Sequence, residues 1–150
     1  MFHTSDEQAN GEKSMSMSTK LVVVLRSDLE LAVAANAGAV LGLALGARLE
    51  NSLGADGKDA GGNVHAGINP HPVPTLAASG EELRRIKELA DERDLTVVGF
   101  NEVARRSRTY VDYLDRLAVT EPAEMEYVGV AVFGPKKDVN KLTGKLSLIG

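Results

Sequence analysis

The sequence predicts one α/β domain of three layers, with a mixed, mostly parallel sheet of about four to five strands and helices on both faces. Three observations support this prediction. The length of 150 residues suits a single domain with one hydrophobic core. Apolar residues make up 43% and charged residues 25%, as in ordinary globular proteins. Apolar, strand-like runs also alternate with helical segments, a pattern typical of crossover connections.

The first nineteen residues differ from the rest of the chain. Residues 1–19 are polar and without periodicity, and they lack the basic start and apolar run of a secretory signal. We therefore predict a disordered tail, followed by a single domain over residues 20–150. Met15 and Met17 are alternative start sites to Met1.

The first strand and helix of the domain follow directly. Lys20–Arg26 is a continuous β-branched run, which predicts a central strand buried on both faces. Ser27 or Asp28 can cap the next helix. Leu31–Ala47 carries no charge, and as a helix it would span about 25 Å, just short of a bilayer core. Its Ala and Gly content gives little transfer energy, so we expect a helix buried on the sheet and no membrane span.

Glycines recur every four residues in this helix, at Gly38, Gly42 and Gly46. They leave one side of the helix without side chains, and we expect that side to pack closely on the sheet. Residues 48–70 are rich in Gly, Asn and Asp, and they predict a hairpin or long loop that turns at Gly61-Gly62-Asn63.

The middle of the chain predicts an edge strand and a capped helix. His71–Leu76 contains two prolines, which place it at a sheet edge. Ser79 and Glu82 form a capping box for a helix over Glu81–Arg93 with one apolar stripe.

Two more strands and two more helices complete the domain. Leu95–Phe100 predicts a buried strand, Glu102–Val119 a single helix and Met125–Phe133 a fourth main strand. In the closing segment, Pro135 fits the first turn of a helix that Gly144 ends in a left-handed conformation. Leu146 and Leu148 then alternate with polar residues as a strand does.

Composition excludes several classes of function. The net charge of −4 and pI near 5.4 argue against a broad nucleic-acid-binding face, although a local basic patch is compatible with them. The absence of cysteine removes disulfides, thiolate nucleophiles and cysteine-ligated metals, and it favours a reducing, cytoplasmic setting. His65, His71, Asp56 and Asp59 match no metal-ligand spacing, and no phosphate-loop or dinucleotide fingerprint occurs. We therefore expect no metal and no cofactor.

The two ends of the domain carry a resemblance. Lys20–Leu29 resembles the opening strand and turn of the archaeal and eukaryotic (type 2) peptidyl-tRNA hydrolases, and Gly134–Leu146 resembles their closing helix and strand. The lysine of that family is absent after Leu29, and Asn36 stands at its glutamine position. The whole pattern is similar to a bacterial family of uncharacterised proteins with Ala-Asn-Ala, Thr-Tyr-x-Asp-Tyr and Asn-Lys-Leu-Thr-Gly segments. This resemblance implies the type 2 peptidyl-tRNA hydrolase-like fold.

Candidate binding residues follow from the predicted topology and the resemblance. Ligands in open α/β sheets bind beyond the carboxyl ends of the strands, which selects Arg26–Asp28, Asn101 with Glu102, and Gly134 with Lys136. Six side chains are candidates for ligand binding: Asn36, Tyr110, Asp112, Lys136, Asn140 and Lys141.

Each candidate also has a structural interpretation. Asn36 can form a hydrogen bond within a buried helix. Tyr110 can pack in the core with Tyr113, and Asp112 can pair with Arg108 at the surface. The lysines can be solvated. The catalytic residues are unknown.

The sequence therefore predicts an uncharacterised protein that binds a small ligand, with anions as one class, in a cleft at the strand carboxyl ends. A hydrolase acting on peptidyl-tRNA or a related ester is the first alternative. A structural or protein-interaction module, such as a homodimer, is the second. Whether the protein is an enzyme stays open.

Overall fold

The structure is a computed structural model that describes residues 13–150. Its main sheet has four strands, and a separate hairpin supplies two short ones. The strands are β1 (Thr19–Arg26), β2 (Gly57–Lys58), β3 (Val64–His65), β4 (Thr75–Ala78), β5 (Thr96–Asn101) and β6 (Tyr127–Pro135). The order across the main sheet is β4-β1-β6-β5.

The sheet is mixed but mostly antiparallel, so the prediction of a mostly parallel sheet is wrong. β1 and β4 form the one parallel pair, whereas β6 is antiparallel to both β1 and β5. β1, β4 and β5 still run in the same direction, as crossover connections require. The difference arises because β6 lies between β1 and β5 in the opposite direction. Hydrophobic periodicity identifies a strand but carries no information about its neighbours.

Between Thr19 and Gly150, five α-helices surround this sheet, together with a 3₁₀ turn at Pro122–Glu124. They are α1 (Leu31–Gly46), α2 (Gly80–Glu92), α3 (Glu102–Arg106), α4 (Tyr110–Ala118) and α5 (Lys136–Thr143). α1 packs on one face, while α2 and α5 pack on the other. The predicted α/β class with helices on both faces is therefore confirmed. No helix within residues 13–150 combines the length and apolar character needed to cross a membrane.

Two apolar cores lie on the two faces of the sheet. Along β1, Val22 and Val24 face α2 and α5, while Leu21, Val23 and Leu25 face α1. This alternation with a period of two explains why the strand reads as a continuous apolar run, because both of its faces are buried.

The predicted helix over Glu102–Val119 is divided into α3 and α4. Ser107 has an extended backbone, and its hydroxyl donates to the Val103 carbonyl at 2.6 Å. Thr109 then caps α4 by accepting from the Asp112 N–H at 3.0 Å. Ser and Thr side chains compete for backbone hydrogen bonds in this way and favour caps over helix interiors.

Close packing between helix and sheet occurs at Gly129 rather than at the glycines of α1. A Cβ on Gly129 would lie 2.8 Å from the Leu25 side chain and 2.9 Å from that of Leu41. Beside Gly38, Gly42 and Gly46 there is open space instead. The prediction that these three glycines pack closely on the sheet is therefore wrong. The predicted left-handed conformation of Gly144 is also wrong, because its φ is −63°.

The segment before β1 contacts the domain. Met15 is buried in the core beneath α1, and its N–H donates to the Glu50 carbonyl at 3.1 Å. Residues 13–19 therefore depart from the predicted tail of residues 1–19, whereas residues 1–12 lie outside the described part of the chain. At the other terminus, Leu148 forms a single antiparallel bridge with Leu76 where a strand was predicted.

The hairpin of β2 and β3 belongs to an exposed loop, which we call the arm (residues 54–68). Its base is closed by the Gly54 N–H, which donates to the Ile68 carbonyl at 2.8 Å. At its tip, Asp59 accepts from the backbone of Gly61 and Asn63 at 2.9 and 3.0 Å. These bonds form the predicted turn. Gly67 is obligatory at the base, because a Cβ there would overlap the Gly54 carbonyl.

Candidate functional site

A cleft opens at the edge of the sheet where β1, β4 and β5 end and β6 begins. Its volume is about 450 Å³, within the range of small-molecule sites. The polar residues that line it come from all four strand ends and from α2, and they include Arg26, Asp28, Ser79, Arg84, Glu102 and Arg106. The topology therefore places charged side chains from distant parts of the sequence around one space.

Glu102 is the buried charge at the centre of this cleft. Its side chain is 9% exposed. Both terminal nitrogens of Arg26 donate to Oε2 at 3.2 Å, and Nε of Arg105 donates to Oε1 at 2.5 Å. Nε of Arg106 lies 3.7 Å from Oε1. One carboxylate thus lies within ion-pair distance of three guanidinium groups.

The position of Glu102 follows from a bulge at the end of β5. The register between β5 and β6 shifts at Phe100/Asn101. Asn101 then caps α3 by accepting from the Ala104 N–H at 2.9 Å. The Glu102 N–H donates to the Glu126 carbonyl at 2.8 Å. Bulges reorient side chains in this manner, and here the bulge directs Glu102 inward.

Arg26 connects Glu102 to two other groups. Its Nε donates to Asp28 at 2.6 Å, and Nη1 donates to the Tyr127 carbonyl at 3.2 Å. Asp28 is therefore an ion-pair partner and not the predicted cap of α1. The N-cap of α1 is Glu30, which makes no side-chain cap hydrogen bond.

The network fixes the charge of Glu102. Burial alone would raise the pKa of Glu102, but the hydrogen bonds and positive charges of Arg105 and Arg26 outweigh burial and hold that pKa below its ordinary value of 4.5. Glu102 is therefore ionised at neutral pH and cannot serve as a proton donor there.

Arg84 differs from the other arginines of the cleft. Its Nη2 donates to the Met125 carbonyl at 3.3 Å. Its Nε is buried and has no hydrogen-bond partner among residues 13–150. A buried donor without a partner costs about 1–3 kcal/mol, so native proteins rarely leave one unsatisfied. Arg84 therefore lines the cleft with a side chain that keeps one buried donor without a partner in this part of the chain.

The predicted candidate Asn36 lies elsewhere. It is exposed on the outer face of α1, and it does not line the cleft. The expectation of a buried amide is wrong, because α1 is covered by the sheet on one side only: its buried residues are Ala37, Leu41 and Leu45.

Tyr110 and Asp112 lie on α4, outside the lining of the cleft. Tyr110 is 73% exposed, so the expected core packing is wrong for it. Its ring meets Tyr113 edge to face with centroids 5.5 Å apart. The carboxylate of Asp112 lies 3.8 Å from Nη1 of Arg116. It accepts a hydrogen bond from the backbone N–H of Arg108, whereas the predicted pair used the Arg108 side chain.

The three candidates on α5 are at the opposite end of the sheet from the cleft. Because β6 is antiparallel, its carboxyl end lies beside the start of β1, so the strand-end rule wrongly grouped Lys136 with Arg26 and Glu102. Lys136 and Lys20 line a separate cavity of about 360 Å³. Asn140 accepts from Nζ of Lys20 at 2.6 Å, and Lys141 is exposed. The six candidates do not converge.

No metal site is formed by the residues that the structure describes, since no group of three or more His, Asp or Glu side chains could hold an ion. His65 contacts Asp59 at 3.0 Å within the arm. His71 lines the cavity of Lys20 instead.

Sequence reasoning missed Arg84, which in the sequence is one of several charged residues on the polar side of α2.

This chain is similar to proteins of one family and to a solved structure. A family described as "Protein of unknown function (DUF2000)" matches residues 19–149. A solved structure of a protein of unknown function, Atu0240 from Agrobacterium tumefaciens strain C58, is similar to this chain with a TM-score of 0.82. The two are 27% identical, and the match covers 90% of this chain and 100% of the other. A search of curated proteins finds no match. The chain therefore belongs to the DUF2000 family of proteins of unknown function.

Proposed function

We propose that this protein binds a small ligand with a carboxylate or phosphate group in the cleft at the ends of β1, β4 and β5. One observation carries the proposal: the buried Nε of Arg84 has no partner among the described residues. A guanidinium group binds planar anions through several donors at once, and Arg84 lines the cleft, so rotation of its side chain toward an anion would give the buried Nε a partner.

Arg84 and Arg106 are the cations of the lining that an anion would contact, because Arg26 is already paired with Asp28. Glu102 is occupied by Arg26 and Arg105. Arg106 lies farther from it at 3.7 Å and remains 63% exposed, so its guanidinium can also turn to a ligand. The remaining carboxylates of the lining, Glu81 and Glu126, are exposed at the rim. They would suit a ligand that also carries an amino group.

The cleft supports binding better than catalysis. Glu102 is held ionised by its arginine partners and accepts three hydrogen bonds from them, so it cannot act as a general acid at neutral pH. The relation to the fold of type 2 peptidyl-tRNA hydrolases is part of this proposal, and it rests on the segments Lys20–Leu29 and Gly134–Leu146. The lysine of that family is absent, so hydrolysis is the alternative and binding is the function proposed.

The test compares Arg84→Met with Arg85→Met, its exposed neighbour on α2. Inorganic phosphate, pyrophosphate, citrate and glutamate are titrated into each protein, with melting temperature and heat of binding as readouts. We expect at least one of these anions to stabilise the wild type by about 2.7 kcal/mol at a hundredfold excess over Kd. Binding should weaken at least tenfold, or about 1.4 kcal/mol, in Arg84→Met and stay unchanged in Arg85→Met.

Two results would contradict the proposal. One is equal affinity of the wild type and Arg84→Met for every anion that binds. The other is the absence of binding by all four anions at millimolar concentration. Release of peptide from a model peptidyl-tRNA by the wild type would instead favour the hydrolase.

A further inference from the structure

The outer face of α1 is an uncovered apolar surface. No charged residue occurs between Leu31 and Ala47, and α1 is apolar on all sides. Helices of this composition are normally buried all round. Here Leu31 is 87% exposed and Leu43 79% exposed, and within residues 13–150 nothing packs on this face.

A groove joins this face to the base of the arm. α1 lies over β1, β5 and β6, and beside it a groove of about 420 Å³ has the side chains of Leu21 and Val23 in its floor. Gly38, Gly42 and Gly46 form one wall, and Leu53 and Val73 belong to the other. The three glycines leave this groove open, because no side chain from α1 fills it.

Further exposed apolar side chains lie on α1 and on the arm, on the two sides of the groove. The large exposed apolar side chains of the groove, α1 and the arm are Leu31, Val40, Leu43, Leu53, Val64, Ile68 and Val73, and we call them the α1–arm surface. Their exposed fractions range from 37% to 87%. Charged residues border this surface: Asp59 is bonded to His65 at the arm tip, and Glu30, Arg48, Asp56 and Lys58 are exposed beside α1 and on the arm. An apolar centre with a polar rim is the usual composition of a protein interface.

The area of this surface is close to what a stable dimer requires. A whole aliphatic side chain has about 100 Å² of surface, which is the area implied by its burial energy at about 25 cal/mol per Å². The exposed fractions of the α1–arm surface together equal about 4.5 whole side chains, or about 450 Å². Since about 65% of a homodimer interface is apolar, the whole interface would cover about 700 Å² per protomer. Stable interfaces bury about 800 Å² per partner.

We propose that two copies of this chain associate through the α1–arm surface about a two-fold axis. The uncharged face of α1 suits an identical copy, because like charges would not meet where two α1 helices cross at the axis. The small residues of α1 allow two helices to approach closely. Asn36, the polar side chain of the exposed face, has both donors and an acceptor, so it can pair with the same residue of a second copy.

A second apolar patch gives the matched control. Val111 on α4 is 69% exposed, close to the value for Leu43, but Asp112, Asp115 and Arg116 surround it in the sequence. Both positions are exposed on helices, so a glutamate at either should leave the monomer folded. Circular dichroism of each variant verifies this.

The experiment is sedimentation velocity of the full chain between 1 and 200 µM, with about 10 µM as a useful midpoint for a moderate dimer. We expect the wild type and Val111→Glu to dimerise equally. Leu43→Glu and Ile68→Glu should each weaken the dimer about a hundredfold, since both copies change at once.

Three outcomes would overturn the proposal. The proposal is overturned if the wild type stays monomeric up to 200 µM, whether or not it binds lipid vesicles or another protein. It is also overturned by a dimer that Leu43→Glu and Ile68→Glu leave intact. Dissociation by Val111→Glu alone would assign the interface to α4.

Discussion

Replacement of Glu102 by glutamine should destabilise the protein by about 2–3 kcal/mol at neutral pH. Glu102 accepts three hydrogen bonds from Arg26 and Arg105 at 2.5 to 3.2 Å. Bonds to charged groups contribute about 1.5–3 kcal/mol each and neutral ones about 1 kcal/mol. Glutamine keeps the shape of the Glu102 side chain but removes its negative charge. We count the lost interaction with Arg105 at a reduced value, because the Arg105 side chain is partly exposed. Urea unfolding followed by circular dichroism measures the difference.

The destabilisation should also depend on pH with a definite sign. The pKa of Glu102 in the folded protein lies below its ordinary value of 4.5. Its contribution is therefore complete above that value and is lost as the pH falls through the folded pKa. Wild type and Glu102→Gln should converge in stability at acid pH.

Glu126→Gln is the control for this prediction, because Glu126 lines the same cleft and is exposed. We expect it to change the free energy of unfolding by less than about 0.5 kcal/mol. The reasoning would be refuted if Glu102→Gln also changed stability by less than that amount, or if its deficit persisted unchanged at acid pH.

Two further predictions concern packing and the arm. Gly129→Ala should destabilise the protein by about 1–3 kcal/mol in urea unfolding, because the added Cβ would overlap two leucine side chains. The control is Gly57→Ala, since there is open space beside Gly57. Equal destabilisation by the two substitutions would contradict the packing account. Asp59→Ala should abolish hydrogen-exchange protection of the Gly61 and Asn63 amides without changing the main sheet. Hydrogen bonds from His65 and Asn63 lower the pKa of Asp59 to about 2. The wild-type arm should therefore keep the protection of these two amides until the pH falls to about 2. Loss of that protection near pH 4 would contradict this prediction.

Local signals in the sequence predicted the elements well. The capping box at Ser79 and Glu82 is present because both partners lie within one turn of each other. The hairpin turn at Gly61-Gly62-Asn63 depends equally on neighbouring residues. Strand order did not follow from such signals, since the insertion of β6 between β1 and β5 depends on contacts between distant residues.

The same distinction explains the candidate site. The strand-end rule selected Arg26 and Glu102, which the structure brings together, but it also selected Lys136 because it assumed a parallel β6. Arg84 has no sequence signal, because its unsatisfied Nε results from the packing of α2 against the segment that contains Met125. The uncharged α1 predicted burial, whereas the described residues cover only one of its sides.

The most direct test of anion binding is an NMR titration that observes the guanidinium Nε–H signals of arginine. Inorganic phosphate and citrate are added to uniformly ¹⁵N-labelled protein, and Arg84→Met identifies the Arg84 signal by its disappearance. The account predicts that the Arg84 signal shifts and saturates with at least one of these anions, while the signal of exposed Arg85 does not change. An Arg84 signal that stays constant while anions bind elsewhere, or while none binds at all, would contradict it.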